Sequence, residues 1–197
     1  MQKENEMTIV ETHVESDLTD EQIASIVTLT NSVWPKEEFT LEQRIETMLE
    51  KVASAERKAT NPRRLVVWEN EKAIAHASIF HREIHFVDGD SESLAVQNVL
   101  ALAGVCTDST RRGLGLGTMV VKEAFTHVDK IAPVCLFQTG VIEFYEKLGA
   151  RVVSNKFINR LDDTAPLDNP WWDDSAMVFP EKYRWPREIV DLNGAGY

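Results

Sequence analysis

Two stretches early in the chain carry hydrophobic residues at helical spacing. The first runs from Ile23 to Trp34 behind Thr19-Asp20-Glu21-Gln22, and the second runs from Ile45 to Val52 behind Thr40-Leu41-Glu42-Gln43. In both, a threonine is followed three positions later by a glutamine, the pattern of a capping box. Pro35 ends the first stretch, since proline cannot continue a helix. The pattern therefore predicts two adjacent helices.

The next part of the chain has the pattern of strands. The pattern predicts a first strand over 8–14, before the helices, and apolar runs predict further strands over 65–68, 73–86 and 94–107. The run over 94–107 is nearly continuous in its second half, which is typical of a central strand covered on both faces. An Asp-Gly pair within 87–91 predicts a hairpin turn that joins the strand over 73–86 to the strand over 94–107.

The second half of the chain alternates between helices and strands. The pattern predicts a helix ending near residue 128, a strand over 134–137, a short helix over 141–148, and strands over 151–158 and 176–179. We expect a single domain over 1–197, with loose ends at about 1–7 and 186–197. The order of elements predicts an α+β fold (α/β in some schemes) with a mixed, mostly antiparallel central sheet flanked by helices on both faces.

Composition and charge narrow the class of protein. The chain is 43% hydrophobic and 27% charged, as expected of a soluble globular protein. No apolar run approaches the roughly 20 residues of a membrane span, and the opening MQKENEMTIV lacks the apolar core of a signal peptide. We therefore expect a cytoplasmic protein. The net charge of −11 argues against nucleic acid or a membrane as partner and is compatible with a cationic amine substrate.

The cysteines and histidines point to no special chemistry. Cys106 and Cys135 lie inside apolar runs, which favours small core residues in a reducing compartment, although the sequence leaves a disulfide open. The five histidines show no metal-ligand spacing, and no metal site is predicted.

The stretch from Asp108 to Thr118 lies between the buried strand and an amphipathic helix. It contains three alternate glycines and two arginines: Gly113, Gly115, Gly117, Arg111 and Arg112. Such glycines let the backbone approach a ligand, and the N-terminus of the helix favours an anion, phosphate above all. The spacing fits neither a P-loop, which ends in Gly-Lys-Ser/Thr, nor the dinucleotide fingerprint G-x-G-x-x-G. The stretch therefore predicts a different site for a phosphorylated ligand.

Two motifs in this chain resemble those of one family. Arg112-Gly113-Leu114-Gly115-Leu116-Gly117 is similar to the R/Q-x-x-G-x-G/A pyrophosphate loop of the GCN5-related N-acetyltransferase (GNAT) superfamily. Phe144-Tyr145-Glu146-Lys147-Leu148-Gly149 resembles that family's F-Y-E-K-L-G-F segment, and the order of elements agrees from Ile23 to about Val153. The chain departs at Gln138, where the family often has Asn, and at Ala150, where an aromatic residue usually follows.

The resemblance implies acetyl-CoA as the acyl donor. The residues that it places at the cofactor site are Val105, Cys106, Thr107, Arg112, Gly113, Leu114, Gly115, Leu116, Gly117 and Thr118. The loop N–H groups would hold the pyrophosphate, and 105–107 would pair with the pantetheine arm like an added strand. A backbone N–H at Val105 or Cys106 would polarise the thioester carbonyl. Tyr145 is the implied general acid, because a phenol with a pKa of about 10 is protonated at neutral pH. The alternative is that Tyr145 only packs the helix and hydrogen-bonds the cofactor sulfur.

The general base stays open at this point. Many family members have a glutamate on the fourth strand, but residues 94–107 contain no carboxylate. His81, Glu83 and His85 on the preceding strand are candidates acting through water, or they form a solvated edge. Residues 170–180 resemble the end of aminoglycoside 2′-N-acetyltransferases. Their aromatic pair followed by acids suits a cationic, amphipathic amine, or forms a surface loop held by tryptophan burial.

We therefore expect an acetyl-CoA-dependent N-acetyltransferase that moves an acetyl group to a primary amine by direct attack on the thioester. A small-molecule amine is the expected acceptor, and the protein is expected to be a monomer or homodimer. The alternatives are a protein or peptide N-acetyltransferase and a non-catalytic acyl-CoA-binding sensor.

Overall fold

The computed structural model describes residues 8–88 and 93–197. The chain divides into two compact units, the first formed by Met1–Ser78 and Gly104–Glu123 and the second by Ile79–Ala103 and Ala124–Tyr197. The tail expected over 1–7 lies outside the described residues, as does most of the turn expected over 87–91. The single domain expected over 1–197 stays a prediction.

The helices follow the sequence pattern closely. They are α1 (Asp20–Val33), α2 (Leu41–Ala53), α3 (Ala55–Ala59), α4 (Leu116–Phe125) and α5 (Ile142–Glu146). Both predicted capping boxes are present: the Thr19 hydroxyl accepts from the Gln22 N–H at 3.3 Å, and the Gln22 side chain accepts from the Thr19 N–H at 3.0 Å. Thr40 and Gln43 repeat the arrangement at the start of α2. The five-residue helix α3 was not predicted.

The strands form a mixed, mostly antiparallel sheet. They are β1 (Glu11–Val14), β2 (Arg63–Glu69), β3 (Lys72–Val87), β4 (Ser93–Thr107), β5 (Cys135–Thr139), β6 (Arg151–Val153), β7 (Phe157–Ile158), β8 (Ser175–Phe179) and β9 (Ile189–Asp191). Their order is β1-β2-β3-β4-β5-β8-β6, and β9 pairs with β3 and β7. Among the pairings with a described register, β4–β5 and β7–β9 are parallel, and the others are antiparallel. The predicted α+β fold is confirmed.

Each unit has its own apolar core. In the first unit, side chains of α1 and α2 pack against β2, β3 and the end of β4, and this core includes Ile23, Ile26, Val52, Val66 and Cys106. In the second unit, β5, β8 and β9 contribute to a core that includes Leu136, Val178, Val190, Trp171 and Trp185. Burial of these side chains is the main favourable contribution to the stability of each unit.

The C-terminal residues differ from the loose end expected over 186–197. Strand β9 pairs antiparallel with β3 and parallel with β7. The Tyr197 ring lies edge-on to the rings of Phe80 and Trp171, and its hydroxyl donates to the Leu136 carbonyl oxygen at 3.1 Å. The expectation was wrong because Ile189–Leu192 is too short an apolar run to stand out in sequence, yet Val190 and Leu192 are fully buried.

In the part of the chain that the structure describes, no helix combines the length and the apolar character needed to cross a membrane.

Candidate functional site

The glycine-rich loop lies in the first unit and starts with a tight turn. The Asp108 carboxylate accepts hydrogen bonds from the backbone N–H and the hydroxyl of Thr110, at 2.8 and 2.6 Å. Gly113 and Gly115 have φ of +80° and +79°, a region that residues with a Cβ rarely adopt. A Cβ built at either glycine would meet no atom within 4 Å. The backbone turn therefore requires these glycines, and the space beside them is open.

The loop continues directly into the N-terminus of α4. The Met119 N–H donates to the Gly115 carbonyl oxygen at 3.0 Å, so Leu116, Gly117 and Thr118 form the first helical turn. Their N–H groups have no acceptor earlier in the helix. These groups and the helix dipole together favour an anion at this end. The Leu116 side chain is buried, so its backbone is the part available to a ligand.

The two arginines of the loop differ in their surroundings. Arg111 Nη2 donates to the Glu69 carboxylate at 2.5 Å, which links the loop to the end of β2. Arg112 is exposed, as is Leu114. Of the two cations, Arg112 is therefore the better placed to contact an anionic ligand at the loop.

Strand β4 reaches the loop through a glycine that the sequence analysis missed. Gly104 lies three residues before the end of β4 and has φ of +58°, the geometry of a β-bulge. Its carbonyl oxygen lies 2.8 Å from Nδ1 of the buried His76. Beyond it, Cys106 points into the core, while Val105 and Thr107 are half-buried. An isolated glycine inside an apolar strand run is itself a bulge signal, and it was available in the sequence.

The candidate general acid lies in the second unit. Tyr145 on α5 is 5% exposed, and its ring centroid lies 4.6 Å from that of Phe137 and 4.9 Å from that of Phe144. Burial, assisted by the neighbouring Cys135 and Asp173, raises the pKa of the Tyr145 hydroxyl well above its usual range. The hydroxyl is therefore protonated at neutral pH and able to donate a proton or a hydrogen bond.

The three candidates for the base lie on β3 within the second unit. His85 Nε2 lies 3.2 Å from the Glu83 carboxylate, and His81 Nε2 lies 3.0 Å from the Asn98 side-chain oxygen. The Glu83 side chain is half exposed. The structure thus brings Glu83 and His85 together as a partly exposed pair, and the role of a base acting through water stays a prediction.

The side chain of Gln138, at a position where the family often has Asn, forms hydrogen bonds to backbone groups of the C-terminal part of the chain. Its side-chain oxygen accepts from the backbone N–H groups of Trp172 and Asp173, both at 2.9 Å, and its nitrogen donates to the Tyr197 backbone oxygen at 2.8 Å. Gln138 thereby holds the segment that follows Trp171. Trp171 is buried and Trp172 is 70% exposed, so one member of the aromatic pair anchors the segment and the other faces solvent.

Neither cysteine has the character of a nucleophile. Cys106 and Cys135 are buried and form no disulfide. Burial raises the pKa of the Cys106 thiol to about 12 and raises that of Cys135 as well, so both remain thiols at neutral pH. Among the described residues, no group of three or more His, Cys, Asp or Glu side chains could hold a metal ion.

The fold is that of N-acyltransferases of known structure. A GCN5-related N-acetyltransferase from Kribbella flavida aligns with a TM-score of 0.52 and 17% identity, covering 74% of this chain and 33% of that chain. Escherichia coli ElaA gives 0.51 and 16%, and an acyl-CoA N-acyltransferase from Pseudomonas aeruginosa gives 0.50 and 16%. Each of these two alignments covers 87% of this chain and 99% of the other. This chain therefore spans about a third of the first structure and nearly all of the other two.

Comparison of the sequence with family models identifies the family. Residues 23–150, more than half of the chain, match the model of the acetyltransferase (GNAT) family. The chain belongs to that family, as the loop and the Phe144–Gly149 motif predicted. The matched region contains the glycine-rich loop, Gly104 and Tyr145. No curated protein matches this chain significantly.

Proposed function

We propose that this protein is an acetyl-CoA-dependent N-acetyltransferase that acetylates the primary amine of a small molecule. One observation carries the proposal: Gly113 and Gly115 sit at positive φ with open space at both Cβ positions, and their loop leads into the N-terminus of α4. Converging N–H groups at a helix N-terminus suit a pyrophosphate, which CoA carries. Membership of the GNAT family supports the same donor.

The donor is proposed to bind along the first unit. The residues involved would be Val105, Cys106, Thr107, Arg112, Gly113, Leu114, Gly115, Leu116, Gly117 and Thr118. The loop would hold the pyrophosphate, and residues 105–107 would pair with the pantetheine arm through main-chain hydrogen bonds. A backbone N–H at Val105 or Cys106 would stabilise negative charge that develops on the thioester oxygen.

The proposed reaction is a direct attack on the thioester. The neutral amine nitrogen forms a bond to the carbonyl carbon, the carbon–sulfur bond breaks, and the departing sulfur takes a proton from the Tyr145 hydroxyl. The raised pKa of Tyr145 supports its role as general acid, because the hydroxyl then keeps its proton at neutral pH until the sulfur departs. The amine nitrogen loses one proton as the amide forms, and this proton restores the Tyr145 hydroxyl, directly or through water.

A base is needed because most of the amine is charged. An alkyl amine with a pKa of about 10.4 is only about 0.04% neutral at pH 7, which costs about 4–5 kcal/mol. The candidates are His81, Glu83 and His85, of which Glu83 and His85 form a partly exposed pair. Single substitutions of these three, compared in the pH dependence of kcat, would assign the role.

The cysteines support direct transfer over an acyl-cysteine intermediate. A thiol with a strongly raised pKa is a poor nucleophile, because the thiolate is the reactive form. Both Cys106 and Cys135 are buried with raised pKa values. Buried, unbridged thiols also support a reducing, cytoplasmic location. The oligomeric state, monomer or homodimer, is open to measurement by light scattering.

A cationic amine is the proposed acceptor. The net charge of −11 attracts cations over the whole surface. The exposed Trp172 indole and the adjacent Asp173 would suit an amine with an apolar body, since aromatic faces and carboxylates both attract ammonium groups.

Release of CoA from acetyl-CoA, measured with a panel of polyamines, aminoglycosides and peptides, tests the proposal. We expect turnover with at least one small amine. Turnover with peptides only would favour protein or peptide acetylation, and CoA binding without any turnover would favour a sensor. Absence of CoA binding would overturn the proposal as a whole.

A further inference from the structure

A row of buried polar side chains crosses the interior of the first unit. Glu15, only 1% exposed, accepts hydrogen bonds from Arg57 at 2.7 and 2.9 Å and from Arg64 at 2.5 Å. Nη1 of Arg64 lies 3.1 Å from Nε2 of His76. Nδ1 of His76 lies 2.8 Å from the Gly104 carbonyl oxygen. The ion cluster of Glu15, Arg57 and Arg64 is thus connected to strand β4 through the imidazole of His76.

The partners of His76 fix its tautomer. A guanidinium can only donate, so Nε2 of His76 must accept from Arg64, and the ring proton must be on Nδ1. That N–H then donates to the Gly104 carbonyl oxygen. Burial, reinforced by the charge of Arg64, lowers the pKa of His76 to about 3, so the ring stays neutral at physiological pH. The row therefore holds His76 in one orientation and one protonation state.

Stability alone gives little reason for this row. A buried ion pair loses its hydration, and replacing such groups with apolar side chains is often neutral or stabilising. Arg64 and His76 are both buried, and Arg64 lines a small cavity together with Leu18, Ile23 and Ile26 of the apolar core of the first unit. An apolar pair would fill the same space but would leave the Gly104 carbonyl without a donor.

Gly104 is the point at which the row acts on β4. Its φ of +58° is the geometry of a bulge, which changes the direction in which the following residues present their backbone groups. A Cβ on Gly104 would lie 3.4 Å from Cε1 of His76, so the imidazole also lies against the bulge. The backbone N–H proposed to contact the thioester oxygen belongs to one of the next two residues, Val105 or Cys106.

We propose that His76 is a positioning residue for acyl transfer. By donating to the Gly104 carbonyl, it holds the bulge of β4 so that a backbone N–H at Val105 or Cys106 faces the acyl donor. Glu15 and Arg64 act through it, because Arg64 occupies Nε2 and leaves Nδ1 as the donor. This inference rests on the proposed function, since it assigns a role to His76 in the same reaction.

Two substitutions separate positioning from packing. In His76→Asn the amide nitrogen falls near the place of Nδ1 and retains a donor for the Gly104 carbonyl. In His76→Gln the amide falls near the place of Nε2, so the variant retains a partner for Arg64 but loses the bond to Gly104. Each variant replaces the imidazole with a smaller, polar amide side chain. The loss of packing is therefore common to the two variants, and only the bond to Gly104 distinguishes them.

We expect His76→Asn to keep kcat/KM for the acyl donor within about threefold of wild type. We expect His76→Gln to lose about tenfold or more, because small displacements at a reacting centre are costly. The urea midpoints of the two variants are measured alongside. Equal kinetic losses in both variants, or losses that follow only the urea midpoints, would overturn the inference. An inactive wild type would instead contradict the proposed function.

A measurement on the wild-type protein keeps the inference testable if both variants fail to fold. Long-range ¹H–¹⁵N correlation spectra report which imidazole nitrogen carries the proton. We expect the Nδ1–H form of His76 from pH 5 to pH 8, with a proton resonance that shifts when CoA is added. An Nε2–H form, or a resonance unchanged by saturating CoA, would overturn the role of His76.

Discussion

Two buried residues, Tyr145 and His76, show how burial sets chemical state. Burial raises the pKa of Tyr145 and lowers that of His76, in each case because the charged form loses hydration. Tyr145 thereby keeps its proton, and His76 stays neutral. The proposed acid and the proposed positioning residue therefore depend on the same physical effect in opposite directions.

Tyr145→Phe removes the proposed acid while keeping the ring that packs against Phe137. We expect kcat to fall about 100-fold, the lower end of the range for general acid catalysis, with little change in CoA affinity. Steady-state kinetics and calorimetric titration with CoA check this. The matched control is Tyr183→Phe, which removes a hydroxyl bonded to Gln97. Unchanged kcat in Tyr145→Phe would contradict the acid role.

The low pKa of His76 predicts how stability depends on pH. In the unfolded chain the imidazole takes up a proton below about pH 6.5, whereas in the folded protein it does so only near pH 3. The unfolded state therefore binds more protons in this window, and stability falls as pH decreases through it. The charged groups near His76 are Glu15 and Arg64. Both remain ionised above pH 5, because the pKa of Glu15 is lowered in the folded protein.

We expect the free energy of unfolding to decrease by about 1.6 kcal/mol between pH 6.5 and pH 5 because of His76, and to depend little on His76 above pH 7. Urea unfolding across this range measures the effect. His76→Asn is the control, because it removes the titrating group and should give a flatter profile. Equal slopes in the two proteins would show that His76 is not buried in neutral form.

At the scale of elements, the glycine-rich loop combines two requirements. Gly113 and Gly115 need positive φ, and the space beside them is open. Substitution by alanine strains the backbone by roughly 1–2 kcal/mol and also fills that space. Gly149 offers a matched control, because its φ is +86° but its added Cβ would make an ordinary contact with Phe179.

We expect Gly113→Ala and Gly115→Ala to weaken CoA binding about tenfold or more, because a methyl group would occupy the proposed pyrophosphate position. Gly149→Ala should lose similar stability while retaining CoA affinity. Calorimetric titration with CoA and urea unfolding separate these two effects. Wild-type affinity in both loop variants would contradict the proposed loop contact.

Elements with a local signal could be predicted from sequence, and elements fixed by distant partners could not. The Thr19 and Thr40 capping boxes mark α1 and α2, and the Asp108–Thr118 stretch marks the start of α4. In contrast, β9 has only three residues and owes its conformation to pairing with β3 and β7. The row that includes Glu15 and His76 joins residues far apart in sequence, and no local pattern marks them as neighbours.

At the scale of the whole molecule, the net charge is the property most relevant to substrate choice. With 32 acidic and 21 basic residues, the chain attracts cations at long range. The charge has no bearing on the fold, and it does not decide among amines of equal charge. It does predict a dependence on ionic strength.

We expect KM for a polyamine such as spermine to rise about several-fold between 50 and 300 mM salt, because salt screens the long-range attraction. A monoamine carries less charge and should show a weaker dependence, which makes it the internal control. Initial-rate measurements at fixed acetyl-CoA check this. An equal salt response for both amines would contradict attraction by the protein's overall charge.

Transfer from acetyl-CoA labelled with ¹³C in the acetyl group, followed by mass spectrometry of the amine panel, tests the central claim most directly. The account predicts a labelled amide on at least one small amine, formed together with an equal amount of free CoA and reduced in Gly113→Ala. No labelled amide on any amine, with no binding of CoA to the wild-type protein, would contradict it.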